Sequence, residues 1–215
     1  MSTEINNSMA LRSEVHLTRK LWHMGTGLSG LSIYNHFSLE SRDMGIYLMA
    51  LGLAALLVEF TRLNVSSFNA IILKVMKPFM RESERNSLSG FPFYALGAAI
   101  SLLLFEEKIA ILSILFLIFA DPISSFFGIL YGKDKIISNK SLQGCIAGFL
   151  VCYILTFAYG SYFYRPGVDL LVFSVLAGLF GALSELCSIV IDDNLTIPVL
   201  SGLGITAINI LIPIF

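Results

Sequence analysis

Residues 119–148 read FADPISSFFGILYGKDKIISNKSLQGCIAG. Asp121 stands inside an apolar run, small residues follow it, and Lys133, Lys135 and Lys140 then come in a polar segment with a Ser-Asn-Lys-Ser turn before hydrophobicity resumes. Two apolar runs joined by a short basic loop read as two membrane helices. An ionisable residue inside such a run is costly and marks a functional position by default. A buried acid beside a basic loop points to phosphate and metal chemistry at a membrane face. The plainer account has Asp121 capping or packing between helices and the lysines fixing orientation.

Composition sets the class. Of 215 residues 56% are hydrophobic and 13% charged, and the mean hydropathy is +0.80, where globular chains carry about a quarter charged residues. This is the composition of an integral membrane protein. A net charge of -1 lacks the basic footprint of a nucleic-acid binder. Cys145, Cys152 and Cys187 lie in apolar runs without metal-ligand spacing, which leaves packing as their role. The first 16 residues are polar and include Glu4 and Glu14, unlike a cleaved leader. They read as a cytoplasmic tail ahead of a single membrane-embedded domain over 17–215.

Seven runs approach the roughly 20 residues that cross a bilayer, near 20–37, 44–61, 91–105, 109–131, 143–163, 169–190 and 196–214. Strict apolar–polar alternation is absent, so an all-α fold is expected. Between the second and third runs, Val65, Phe68, Ile71, Ile72, Val75 and Phe79 recur at helical spacing, with Lys74 and Lys77 opposite. This predicts an interfacial amphipathic helix over about 64–80.

Orientation follows from the basic residues of the short loops. With the N-terminus in the cytoplasm, Arg12, Arg19, Lys20, Arg62, Lys74, Lys77, Arg81, Arg85, Lys133, Lys135 and Lys140 fall inside, and only Arg42, Lys108 and Arg165 outside. The Asp192-Asp193-Asn194 turn falls inside too.

Four polar clusters thereby converge on one face. Arg19, Lys20, Trp22 and His23 open the first run, as snorkelling anchors or as a phosphate clamp. Gly25-Thr-Gly27-Leu-Ser-Gly30 matches a dinucleotide fingerprint only in form, because no strand precedes it, and helix packing by small residues explains it better. Glu59 with Arg62, and Arg81 with Glu84, have the spacing of pairs on one helical face. Asp192 and Asp193, with Glu185 about two turns back in the preceding run, offer oxygen ligands of the kind Mg²⁺ takes beside water and substrate phosphates, or else form a solvated helix cap. The chain has no Walker A loop, so a bound nucleotide would rest on helix ends, cations and a metal.

The same residues carry a family pattern: Arg19-Lys20-x-x-His23; Arg62-Leu63-Asn64; a charged stretch from Arg81 to Gly90; Asp121 with Gly128 seven positions on; Tyr131-Gly132; Asn139-Lys140-Ser141-Leu142-x-Gly144; Ala182-Leu183-Ser184-Glu185; and Asp192-Asp193-Asn194-x-Thr196-Ile197-Pro198-Val199-Leu200-Ser201. In this order they resemble the CTP-dependent lipid kinases, the family of dolichol kinase, phytol kinase and the CTP-dependent diacylglycerol kinase, and more remotely the phosphatidate cytidylyltransferases. The likeness is strongest to the diacylglycerol kinases. Pro122 departs from the pattern, which has a small or hydroxyl residue after the aspartate.

The resemblance implies transfer of the γ-phosphate of CTP to the hydroxyl of a membrane lipid, with a divalent cation such as Mg²⁺, at the cytoplasmic face of the endoplasmic reticulum or of a bacterial inner membrane. Diacylglycerol is the first acceptor, with polyprenol, dolichol or phytol as alternatives. Arg19, Lys20 and Lys140 would clamp the triphosphate. Asp121 would bind the metal or take the lipid proton, and Asp192 and Asp193 would complete the metal site. Gly128, Gly132, Asn139, Ser141, Gly144, Asn194 and His23 would face the nucleotide. A cytidylyltransferase, attacking the α-phosphate, and a small transporter are the competing readings.

Overall fold

A computed structural model describes residues 15–137, 140–188 and 191–215. Each of the seven apolar runs lies in a helix. These are α1 (Leu17–His36), α2 (Ser41–Asn64), α4 (Gly90–Leu104), α5 (Glu107–Leu115) continuing into α6 (Asp121–Tyr131), α7 (Leu142–Phe163), α8 (Val168–Leu186) and α9 (Asp193–Leu211). The end of the run expected over 169–190 falls on residues 189 and 190, outside the described residues. Among the described residues five helices are long and apolar enough to cross a membrane: α2, the joined α5–α6, α7, α8 and α9; α4 is shorter, and α1 is not one of the five.

The amphipathic segment is α3 (Ser66–Met76), followed by a short 3₁₀ turn over Lys77–Phe79. None of its residues is fully buried: Ile71 and Val75 are 61% and 67% exposed, while Phe68, Ile72, Leu73 and Met76 are half-buried. The all-α expectation holds, with one short addition. Lys135–Ile137 (β1) pairs antiparallel with Lys140–Ser141 (β2) in the connection between α6 and α7. With a strand of two residues in the ladder, apolar alternation has no length over which to register.

The joined helix α5–α6 is the centre of the bundle. Two thirds of its most apolar window is buried, against 17% for α2. Leu112, Phe116 and Leu117 face a core built with Cys152, Phe173, Ala177, Ile197 and Ile205 of α7, α8 and α9. Ala110, Ile114 and Ile118 face a second core with Tyr34, Met44, Ala98 and Leu102 of α1, α2 and α4. Between its halves the backbone runs for five residues, Phe116–Ala120, as a π turn. In π register the amide of residue 122 would answer the carbonyl of Leu117, but Pro122 has no N–H. His23 fills the gap, with Nε2 2.9 Å from the Leu117 carbonyl oxygen. An acceptor there requires Nε2 to carry the proton.

A second proline shapes the contact of α9 with α4. Pro198 lies inside α9 and leaves the carbonyl of Asn194 without its helical donor. That carbonyl packs where Gly97 has no side chain, since a Cβ there would come within 2.3 Å of it.

Polar contacts close both ends of the bundle. At one end Tyr34 Oη donates to Glu107, Ser41 Oγ donates to the Leu102 carbonyl, and the Lys108 ammonium lies 4.9 Å from the centre of the Phe163 ring. The start of α1, the ends of α2, α6 and α8, and the starts of α4, α7 and α9 gather at the other end, around a cavity.

Candidate active site

The cavity measures about 460 Å³ and is lined from six places in the fold. The first turns of α1 contribute Arg19, Lys20 and His23, and the loop before α4 contributes Arg81. From α6 come Asp121, Ser124, Ser125 and Gly128, which at spacings of three, four and seven residues share one helical face. Lys135, Lys140, Ser141 and Gly144 come from the hairpin and the start of α7, Glu185 from the end of α8, and Asp193 and Asn194 from the start of α9.

Arg19, Lys20 and Lys140 are each held by a specific partner. Arg19 binds Glu84 with both terminal nitrogens, at 2.8 and 3.0 Å, and donates to the Phe79 carbonyl. Glu84 is thus engaged by Arg19, and Arg81, which spacing paired with it, has its side chain on the cavity wall. The Glu59–Arg62 pair does form, at 2.7 Å. Arg62 is fully buried, and it also donates to the carbonyls of Glu84, Arg85 and Ser87 and to Asn69 of α3. One guanidinium therefore fixes the loop that carries Glu84, and through Glu84 it fixes Arg19.

Lys20 Nζ donates to the Pro122 carbonyl at 3.0 Å, which ties α1 to the turn bearing Asp121. His23 Nε2, already committed to Leu117, is 4.0 Å from Asp121 Oδ2. Lys140 Nζ donates to Glu185 Oε1 at 3.0 Å and lies 3.7 Å from Asp193 Oδ2. Burial works against the charge on Lys140, but Glu185, Asp193 and Asp121 outweigh it and push its pKa up. Arg81 behaves alike, with burial opposed by Asp193 and Asp121 and its pKa raised on balance. Both stay cationic.

The glycines serve helix approach. A Cβ on Gly144 would lie 2.9 Å from the Ser124 carbonyl oxygen and 3.2 Å from Gly128 Cα, so α6 and the first turn of α7 meet backbone to backbone. Ser141 caps α7 by accepting from the Gly144 amide at 3.2 Å.

Asp192 and Asn194, expected at the metal and the nucleotide, are both engaged at the start of α9, and of the two Asn194 lines the cavity. Asp192 caps α9: its Oδ1 accepts from the Asn194 amide at 3.0 Å and from Asn194 Nδ2 at 2.7 Å, and it does not line the cavity. Asn194 spends its Nδ2 on Asp192 and on the Gly90 carbonyl, joining the starts of α9 and α4. Asn139 lies outside the described residues. Of the cysteines, Cys152 is buried in the core and Cys145 is buried at the cavity wall, whereas Cys187, just past α8, is exposed. Gly27 packs against Tyr94 and Ile118, but Gly25 and Gly30 have nothing near them.

Among the described residues no group of three or more His, Cys, Asp or Glu is disposed to hold a metal. Mg²⁺ does not need one. It binds through one or two carboxylates and completes its shell with water and substrate phosphates. Asp121 and Asp193, two cavity-lining carboxylates beside several cations, have the donor chemistry for a metal that arrives with a polyphosphate.

Comparisons with known proteins give the family. The model of the cytidylyltransferase family matches residues 26–190. The chain belongs to that family, on the branch of the CTP-dependent lipid kinases. It is 35% identical over 156 residues to CTP-dependent diacylglycerol kinase 1 of Schizosaccharomyces pombe, covering 67% of this chain and 71% of the relative. Proteins of the same name are 30% identical in Eremothecium gossypii (86% of this chain, 64% of the relative) and 29% identical in Saccharomyces cerevisiae (89% and 73%). No solved structure matches the chain.

Arg81 and Ser124 are among the cavity residues to which the sequence gave no site role, whereas Glu185 was grouped with Asp192 and Asp193. Arg81 sits in an Arg-Glu-Ser-Glu run that suggests local stapling, and a serine in a membrane helix ordinarily bonds its own preceding turn. Glu185 did carry a signal, as an acid near the end of an apolar run.

Proposed function

We propose that this chain transfers the γ-phosphate of CTP to the hydroxyl of diacylglycerol, yielding phosphatidate and CDP. The observation that carries this reading is the cavity itself, where Arg19, Lys20, Arg81, Lys135 and Lys140 surround Asp121 and Asp193 at one end of a membrane bundle. The names of the relatives supply the donor and the acceptor.

Phosphoryl transfer depends on positioning and charge neutralisation. Arg19 and Lys140, braced by Glu84 and Glu185, meet the triphosphate, and Lys20 and Arg81 add positive charge beside Asp121. The lipid oxygen attacks the γ-phosphorus, the bond to the β–γ bridging oxygen breaks, and CDP leaves with the negative charge that the cations offset. Asp121 and Asp193 would hold the divalent ion, which would neutralise phosphate charge. The alternative role for Asp121 is to accept the hydroxyl proton, with Asp193 left to the metal.

In this reading all seven apolar helices span the bilayer, α3 lies in the headgroup layer, and the N-terminus and cavity face the cytoplasm. Residues 17–215 form one membrane-embedded kinase domain.

The test uses CTP labelled at the α or the γ position, with diacylglycerol and a long-chain polyprenol in mixed micelles. Label from the γ position should reach diacylglycerol and be lost in Asp121→Ala. Transfer to the polyprenol alone would reassign the acceptor, and α label in the lipid would make the chain a cytidylyltransferase. Uptake into sealed vesicles without CTP consumption would favour transport.

A further inference from the structure

Glu185 is buried to 4% exposure in the last turn of α8, yet it lines the cavity. A carboxylate withdrawn this far from water persists only with partners of good geometry. Two elements supply them. Lys140 Nζ, from the hairpin, donates to Oε1 at 3.0 Å, and Ser124 Oγ, one turn beyond Asp121 on α6, donates to the same oxygen at 2.5 Å. On the third side α7 leaves room, because a Cβ on Gly148 would come within 3.1 Å of Oε2. The carboxylate is therefore confined from α6, α7 and the hairpin together.

Its effect falls on Lys140. A lysine ammonium has three donors and no acceptor, on a stem with four rotatable carbons. Glu185 takes one donor and holds the nitrogen against α8, 3.7 Å from Asp193 Oδ2. The remaining N–H bonds are left for an anion. As a charge alone, Glu185 would repel a triphosphate.

We propose that Glu185 is a positioning residue for CTP: anchored by Ser124, it fixes the Lys140 ammonium in the cavity and so raises affinity for the triphosphate. This rests on the reading that Lys140 contacts CTP. The proposal fixes the sign of the effect, because loss of the carboxylate weakens CTP binding even though it removes a negative charge from the site.

The experiment is a double-mutant cycle on the purified full chain, with wild type, Glu185→Gln, Lys140→Met and the double variant. Rates are measured against CTP concentration at fixed diacylglycerol, and CTP binding is measured separately without lipid. Glu185→Gln should raise the KM and the Kd for CTP about tenfold, the scale of one charge-assisted hydrogen bond, with kcat within about threefold. Lys140→Met should raise KM at least as much. The double variant should be no worse than Lys140→Met, because without the ammonium Glu185 has nothing to position. Additive losses, tighter CTP binding in Glu185→Gln, or a fall in kcat with KM unchanged would overturn the proposal. An unaltered KM and Kd in Lys140→Met would instead remove the underlying reading. Should Glu185→Gln not fold, Glu185→Asp keeps the charge but retracts it by one methylene, and the same rise in KM is expected. Ser124→Ala, which frees the carboxylate on its other side, should shift KM in the same direction.

Discussion

Asp192 and Asp193 are adjacent in the chain and serve different ends. Asp193 faces the cavity beside Lys140, whereas Asp192 is turned back onto Asn194 as the cap of α9. Burial and the neighbouring Asp193 push the Asp192 carboxyl up to about 6, against the pull of its hydrogen bonds from Asn194. An unfolded aspartate titrates near 3.9, so the folded state holds this proton more tightly. The resulting stability is full below about pH 4 and lost as pH rises through about 6. Asp192→Asn keeps the cap, since Asn and Asp cap about equally well, but lacks that titration. Thermal unfolding should therefore show wild type gaining about 2–4 °C over Asp192→Asn when pH is lowered from 7.5 to 5. In the transfer assay Asp192→Asn keeps most activity and Asp193→Asn loses it. Spacing alone could not separate the two carboxylates, because both fall within the first turn of one helix and only packing decides which turns inward.

At the scale of elements, seven helices were legible because apolar length is written directly into composition. The two-residue strand and the π turn were not. Both are backbone events, and Phe-Leu-Ile-Phe-Ala reads as ordinary membrane helix. Gly-rich spacing misled in one place and informed in another, and substitution separates the cases. Gly144→Ala forces a methyl against the Ser124 carbonyl and drives α6 from α7, a strain of about 1–3 kcal/mol. Gly25→Ala meets nothing within 4 Å and should gain up to about 1 kcal/mol of helix propensity. Thermal unfolding in one detergent, with transfer rates alongside, is expected to show Gly144→Ala impaired in both and Gly25→Ala in neither.

For the whole molecule, the charge asymmetry of the loops and the gathering of helix ends describe one face from two directions. Arg19, Lys20 and Asp121 stood out in the sequence as charges beside or within apolar runs, although snorkelling or packing could account for each there. What brings them together was not. The fixing of Arg19 runs through Glu84 and a fully buried Arg62, contacts that span 65 and 22 residues of chain. A native probe tests which way this face points. Cys187 is exposed at the cavity end, while Cys145 and Cys152 are buried. A membrane-impermeant maleimide should label Cys187 in sealed vesicles only from the cytoplasmic side. Labelling from the opposite side alone would invert the proposed orientation.

The π turn in the central helix has a further consequence. A turn wound in this way holds one residue more than an α turn, and one residue is about 100° of rotation. The residues before Phe116 and those after Ala120 are thus set in two angular frames on a single rod. The first frame is keyed to the two cores and the second to the cavity, so the extra residue works as a phase shifter. Removing any one residue from Phe116–Ala120 would merge the frames and swing Asp121 around the axis, with every cavity side chain still encoded in the gene.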